Sequence, residues 1–183
     1  MTFQSILSLF VIILLALNVI PAQADQSRLE QIQQRIEQNY PAVDHISAET
    51  FQVVSSSEDV VVFDVREQDE YTVSHLDNAI RVDPDISREA FDKLYGKSLS
   101  GKTVVFYCSV GRRSSELADR VGDDLIAHGS KDIFNLQHGI FGWHNNRMSL
   151  VDNSKDTDYV HPYNWLWGRL LERRDMIRYG MEN

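Results

Sequence analysis

The stretch "VVFYCSVGRRSSELA", residues 104–118, decides the fold. With Thr103 it opens on a β-branched and aromatic run without polar alternation, the pattern of a strand buried on both faces. From Ser114 to His128, Leu117, Val121, Leu125 and Ile126 share one helical face and Gly129 closes the run, so the spacing predicts a helix. Between strand and helix lie Cys108, Ser109, Val110, Gly111, Arg112 and Arg113. Backbone N–H groups of a tight loop running into a helix lack intrahelical partners, and the helix dipole places about half a positive charge there. With Arg112 and Arg113 adjacent, this position favours the thiolate of Cys108. Gly111 permits the tight turn, and the inward N–H groups can hold an oxyanion bonded to the sulfur. The bland alternative is a small buried hydrophobe after a strand. A core cysteine, however, has no need of a glycine turn and two arginines.

Outward from this stretch the pattern repeats. "VVVFD" at 60–64 is a second doubly buried strand, "VDHIS" at 43–47 and "AIRV" at 79–82 read as short strands, and "DIFNL" at 132–136 is the last strand candidate. Leu29, Ile32 and Ile36 define a helix over 27–39, stopped by Pro41. Ser47 caps a helix reaching Val54, and Ser87 opens one that ends at Tyr95, before Gly96. Strands alternating with helices predict an α/β fold, a parallel sheet covered on both sides. Ligands of such sheets sit beyond the carboxyl ends of the strands, where Cys108 lies.

The chain's ends and composition narrow the setting. Residues 6–20 are almost wholly apolar, followed by Pro21, Ala22-Gln23-Ala24 and Asp25, which reads as a signal peptide (1–24) cut between Ala24 and Asp25. Residues 1–24 contain no Lys or Arg, a departure from that pattern. The alternative is an uncleaved membrane anchor, for which the run is short against the roughly 20 residues a span needs. The expected mature protein is periplasmic or secreted, and removing 24 of 183 residues leaves 159, enough for one domain. Its net charge of −9 disfavours general nucleic-acid binding. Cys108 is the only cysteine and cannot form an intramolecular disulfide. The six histidines show no metal-ligand spacing, so no metal or organic cofactor is expected.

Three ordered motifs resemble the rhodanese (sulfurtransferase) family. "VVVFDVREQDEYTVSHLDNAIRV" resembles its D-x-R-E…E-Y…H-I-x-x-A signature, through Asp64, Arg66, Glu67, Glu70, Tyr71, His75, Leu76 and Ala79. The Cys108 stretch resembles its active-site strand, loop and helix, and "LQHGIFGWHNN" its closing segment, with Gly139 and Trp143 in place. The resemblance divides the chain into an N-terminal helical extension (25–42), a rhodanese-like domain (43–147) and a C-terminal extension (148–183). It implies a three-layer α/β/α fold around a five-stranded parallel sheet. It also implies Cys108 as the persulfide carrier, a loop from Ser109 to Arg113 that binds substrate, and Asp64 and Arg66 as buttresses of that region. Without the resemblance, Asp64 and Arg66 could equally be a local ion pair with Glu67 or Glu70. His75 is expected to cap or orient the signature loop. Arg81 and His138 depart from the family's usual residues, as do Ser74 and Asn78, and are expected at the rim of the pocket.

The expected function is therefore transfer of sulfane sulfur from thiosulfate or a persulfide donor to cyanide or a thiol. One alternative is a non-catalytic anion-binding or protein-interaction module on the same fold. Another is a phosphatase or arsenate reductase: the fold resembles that of cell-cycle tyrosine phosphatases, but their C-x5-R loop would need arginine at position 114, which is serine. Beyond the motifs, "HPYNWLWGRLLERRDMIRYG" at 161–180 reads as a basic amphipathic helix. It would either contact a membrane surface or partner protein, or pack its Trp-Leu face on the domain.

Overall fold

The computed structural model describes residues 21–180 apart from Glu58 and Ser154. The expected signal segment therefore lies mostly outside the described residues. The elements in chain order are α1 (Pro21–Asn39), β1 (Asp44–Ile46), α2 (Ala48–Val54), β2 (Val60–Asp64), α3 (Gln68–Val73), β3 (Ile80–Arg81), α4 (Arg88–Tyr95), β4 (Thr103–Tyr107), α5 (Arg112–Ala127), β5 (Asp132–Leu136), α6 (Gly139–Asn145), β6 (Leu150–Asp152) and β7 (Lys155–Thr157). β1 to β5 form one sheet in the order β1-β5-β4-β2-β3, with every neighbouring pair parallel. All five strands read from the sequence are present; β1 and β3 are trimmed at both ends, and β5 keeps the bounds read from the sequence.

Strand alternation divides the core in two. Val62, Val105 and Tyr107 face a layer containing Leu29 of α1, Phe51 of α2, and Ile140, Phe141 and Trp143 of α6. Phe63, Val104, Phe106 and Cys108 face Phe91 of α4 and Leu117, Val121 and Leu125 of α5. Phe63 lies 5.2 Å from Phe91, 4.9 Å from Tyr95 and 5.4 Å from Phe106 between ring centroids, an aromatic centre for the second layer. Ser47 and Ser87 cap α2 and α4 by accepting the N–H groups of Thr50 and Ala90.

The structure corrects four local readings. α5 begins at Arg112 rather than Ser114, because Gly111 at φ 98° turns the chain straight into the helix. Gly96 does not stop the chain in a left-handed cap; it keeps right-handed geometry and leads into a 3-10 turn, Gly96–Leu99. β6 and β7 pair as an antiparallel hairpin that the sequence reading left out. Residues 161–180 form no amphipathic α-helix. They make 3-10 turns at Trp167–Leu170 and Arg174–Met176, with Leu170 and Leu171 buried in the first core layer and Trp165 and Leu166 exposed.

Candidate active site

Cys108 follows β4 directly and is 1% exposed. Its Sγ accepts the Gly111 N–H at 3.3 Å. Because α5 starts at Arg112, both arginines stand in its first turn, where N–H groups have no intrahelical acceptor. That turn holds no acidic residue, so two cations oppose the helix dipole. A local rule broken in this way is expected at a functional site.

Glu70 of α3 supplies the compensation. It is buried; its Oε1 accepts the Ser109 hydroxyl at 2.6 Å and Arg113 Nη2 at 2.9 Å, and its Oε2 accepts Arg113 Nη1 at 2.8 Å. Burial alone would push the Glu70 carboxyl upward, but the Arg113 guanidinium and the Ser109 hydroxyl hold it below the usual carboxylate range. Burial likewise opposes the Arg113 charge, and Glu70 together with Cys108 more than offsets it.

The loop is held from two further sides. Ile140 and Phe141 at the start of α6 donate their N–H groups to the carbonyls of Cys108 and Ser109, at 2.9 and 3.0 Å. This approach requires Gly139, since a Cβ there would strike the Cys108 carbonyl. Beneath β4, Arg66 clasps Asp64 through Nε at 2.8 Å and Nη2 at 2.6 Å, and Nη2 also donates to the Ser74 carbonyl. The Tyr107 hydroxyl, one residue before Cys108, donates to Asp64 Oδ2 at 2.6 Å and accepts the Leu76 N–H at 3.1 Å. Burial and the Asp64 charge push the Tyr107 phenol well above its ordinary value. Asp64 and Arg66 are thus a fully buried pair, not a surface ion pair with Glu67 or Glu70, and they reach the cysteine through Tyr107.

Cys108, Ser109, Val110, Arg112 and Arg113 line a cavity of about 240 Å³ together with Tyr163 and Trp167 of the C-terminal extension. The Arg113 guanidinium carbon lies 4.9 Å from the Tyr163 ring centroid. Gly111 serves the site through its N–H. Arg112 is exposed at the rim. Arg81 and His138, expected at this rim, line no part of it. Arg81 donates to the Arg66 carbonyl, while His138 precedes α6 at φ 60° and meets Glu30 of α1 at 3.2 Å. His75 stacks on Tyr71 with 3.9 Å between ring centroids, and its backbone pairs with Val151 of β6, so it orients the signature loop. Asn78 takes the left-handed backbone, φ 58°, that asparagine tolerates. Of the site's members, Glu70 was visible only as a motif position. Tyr163 and Trp167 carry no local signal, standing 55 and 59 positions after the cysteine.

Comparison with known proteins agrees with this geometry. A model described as Rhodanese-like domain matches residues 47–146, more than half of the chain. Over 104 residues the chain is 29% identical to the thiosulfate sulfurtransferase GlpE of Coxiella burnetii, covering 57% of this chain and 87% of that protein. Over 97 residues it is 30% identical to a tRNA uridine(34) hydroxylase of Cytophaga hutchinsonii, covering 52% of this chain. It spans less than a third of the length of such hydroxylases. A crystallised thiosulfate sulfurtransferase from Pseudomonas aeruginosa shares the fold with a TM-score of 0.52 and 20% identity, over 74% of this chain and 24% of that one. A parallel five-stranded sheet, a cysteine loop closed by a first-turn arginine, and a matching family model over the same residues agree: the chain belongs to the family of rhodanese-like domains.

Proposed function

We propose that this protein is a sulfurtransferase that carries sulfane sulfur as a persulfide on Cys108, taking it from thiosulfate or a persulfide donor. The observation that carries the reading is the position of Cys108 Sγ, bonded by the Gly111 N–H at 3.3 Å in a loop whose Arg113 is already paired with Glu70. The Cys108 thiolate attacks the outer sulfur of thiosulfate. A new S–S bond forms, the S–S bond of thiosulfate breaks, and sulfite leaves with the electron pair. Loop N–H groups from Ser109 to Arg113 hold the donor's oxyanion end and then the terminal sulfur of the persulfide. Cyanide or a thiolate next attacks that sulfur and returns Cys108 to the thiolate. Arg112 attracts the anionic donor from the rim.

The apolar run at 6–20 and the Ala22-Gln23-Ala24 site support placing this activity outside the cytoplasm, after cleavage at Ala24. Such a cut shortens α1 by four residues and keeps Leu29 and Ile36, which bury against the domain.

The test is purified protein with thiosulfate and cyanide, read as thiocyanate, with intact mass after thiosulfate alone. We expect turnover and addition of one sulfur atom to the wild type, and neither in Cys108→Ser. Wild-type protein that forms neither thiocyanate nor the sulfur adduct would leave the fold as a non-catalytic anion-binding module.

A further inference from the structure

Tyr163 and Trp167 lie beyond residues 47–146, which the family model matches, yet they form one wall of the Cys108 cavity. This wall is held by specific bonds. Asn164 Oδ1 accepts the N–H groups of Leu166 and Trp167 at 3.0 and 3.1 Å. Asn145 of α6 grips the next turn, donating to the Leu170 carbonyl at 2.9 Å and accepting the Glu172 N–H at 3.0 Å. Tyr163 adopts φ 64°, a left-handed backbone that bulky residues avoid, with its N–H bonded to His161 Nδ1 at 3.1 Å. Strain retained at the wall of a pocket points to a use there.

The cavity is larger than thiosulfate requires. At about 30 Å³ per heavy atom, the share of a water molecule in the liquid, its five heavy atoms take at most about 150 Å³, against about 240 Å³ available. The surplus is bounded by Val110, Tyr163 and Trp167, which suit an apolar stem. At the mouth, the Arg113 charge is matched by Glu70, while Arg112 is exposed. Trp167 also lines a second cavity of about 410 Å³, where Arg35 and Arg169 join it.

We propose that Tyr163 and Trp167 select the sulfur acceptor, an organic thiol with a short apolar stem and a carboxylate that meets Arg112. This rests on the sulfurtransferase reading. The acceptor, its thiol proton lost to solvent, attacks the outer sulfur of the Cys108 persulfide as the thiolate. An S–S bond to the acceptor forms, the bond from Sγ to the outer sulfur breaks, and its electron pair returns to Cys108. The product is an organic persulfide, with no external oxidant or reductant.

The test loads the full chain with thiosulfate and compares 3-mercaptopropionate with cysteamine, thiols of equal stem and opposite terminal charge. Rates are expressed per thiolate, because the two thiols ionise differently. We expect kcat/KM to favour 3-mercaptopropionate by roughly tenfold, equivalent to about 1.4 kcal/mol. Arg112→Ala should remove most of that preference. Tyr163→Gly removes the ring and relieves the left-handed backbone, so it should melt no lower than the wild type while KM for 3-mercaptopropionate rises about fivefold. Tyr163→Phe should restore the wild-type KM. Equal use of the two thiols by the wild type, or an unchanged KM in Tyr163→Gly, overturns the proposal. Calorimetric titration of 3-mercaptopropionate into the reduced protein separates the two readings. Binding that weakens in Tyr163→Gly, without any thiocyanate formation, supports this site and sinks the sulfurtransferase reading. Thiocyanate formation with no discrimination between the thiols sinks this proposal alone.

Discussion

At the cysteine, the balance of charge is set by two residues 43 positions apart, Glu70 and Arg113, which meet in a largely buried ion pair. A cation beside a thiol favours its thiolate and an anion opposes it, so removal of Arg113 and of Glu70 should have opposite signs. Arg113→Ala should move alkylation of Cys108 by iodoacetamide to higher pH, and Glu70→Gln to lower pH. Arg113→Ala also leaves the Glu70 carboxylate buried without its cation, at a cost of about 3 kcal/mol in urea unfolding. The double variant should recover part of that loss, since the two sites are coupled. An alkylation profile unchanged in both single variants would assign thiolate stabilisation to the backbone alone. Arg112 is different, being exposed and unmatched by Glu70. Arg112→Ala should raise KM for thiosulfate at low ionic strength, and the effect should fade near 0.1 M salt, where the Debye length is about 10 Å. A KM insensitive to salt in the wild type would remove Arg112 from substrate attraction.

At the level of elements, four meet at the site besides α3 with its Glu70: the end of β4, the first turn of α5, the start of α6, and the 3-10 turn at Trp167–Leu170. The first three belong to the matched domain, and Asn145 fastens the fourth to it. Asn145→Ala removes both bonds and leaves the Leu170 carbonyl and the Glu172 N–H without partners, at a cost of about 1–3 kcal/mol. That loss should appear locally. Hydrogen exchange is expected to accelerate across 161–180, while β4 and α5 keep wild-type protection. Uniform acceleration over the whole sheet would show instead that the C-terminal turn is part of the central folding unit.

For the whole molecule, several buried groups make stability depend on pH in one direction. His144 is fully buried, with Nε2 against the Asp158 carbonyl at 3.0 Å; burial first, and then Arg173, hold it at about 4 rather than 6.5. Burial also lowers His45 and His161. As pH falls below 6.5 the unfolded chain binds protons on these histidines that the folded chain refuses, so stability is present at neutral pH and is lost toward pH 4. Glu70 acts in the same direction, because its lowered carboxyl loses stability as pH falls below its ordinary range. For His144 alone the difference amounts to at most roughly 3 kcal/mol. Urea unfolding should therefore give a free energy that declines from pH 7 to pH 5, with a shallower decline in His144→Asn. A flat profile would mean that these histidines protonate in the folded state.

The sequence by itself determined the sheet, because doubly buried strands must be apolar over consecutive residues, and "VVVFD" and "TVVFY" have no other stable use. It determined the cysteine loop for a similar local reason: strand, turn glycine and helix follow one another within the chain. It also marked Ser47 and Ser87 as caps, which act over three residues. It did not show that Gly111 starts α5 two residues early, since that depends on a backbone angle that glycine allows but does not require. It misjudged 161–180, where apolar spacing suited a helix but Leu170 and Leu171 are drawn into the core and Asn164 and Asn145 shape the turns. Tertiary structure alone decided that Asp64 and Arg66 are buried, that Glu70 matches Arg113, and that Tyr163 and Trp167 wall the Cys108 cavity. The last two join residues whose separation in the chain carries no periodic signal. Only the closed fold brings them within a few ångströms.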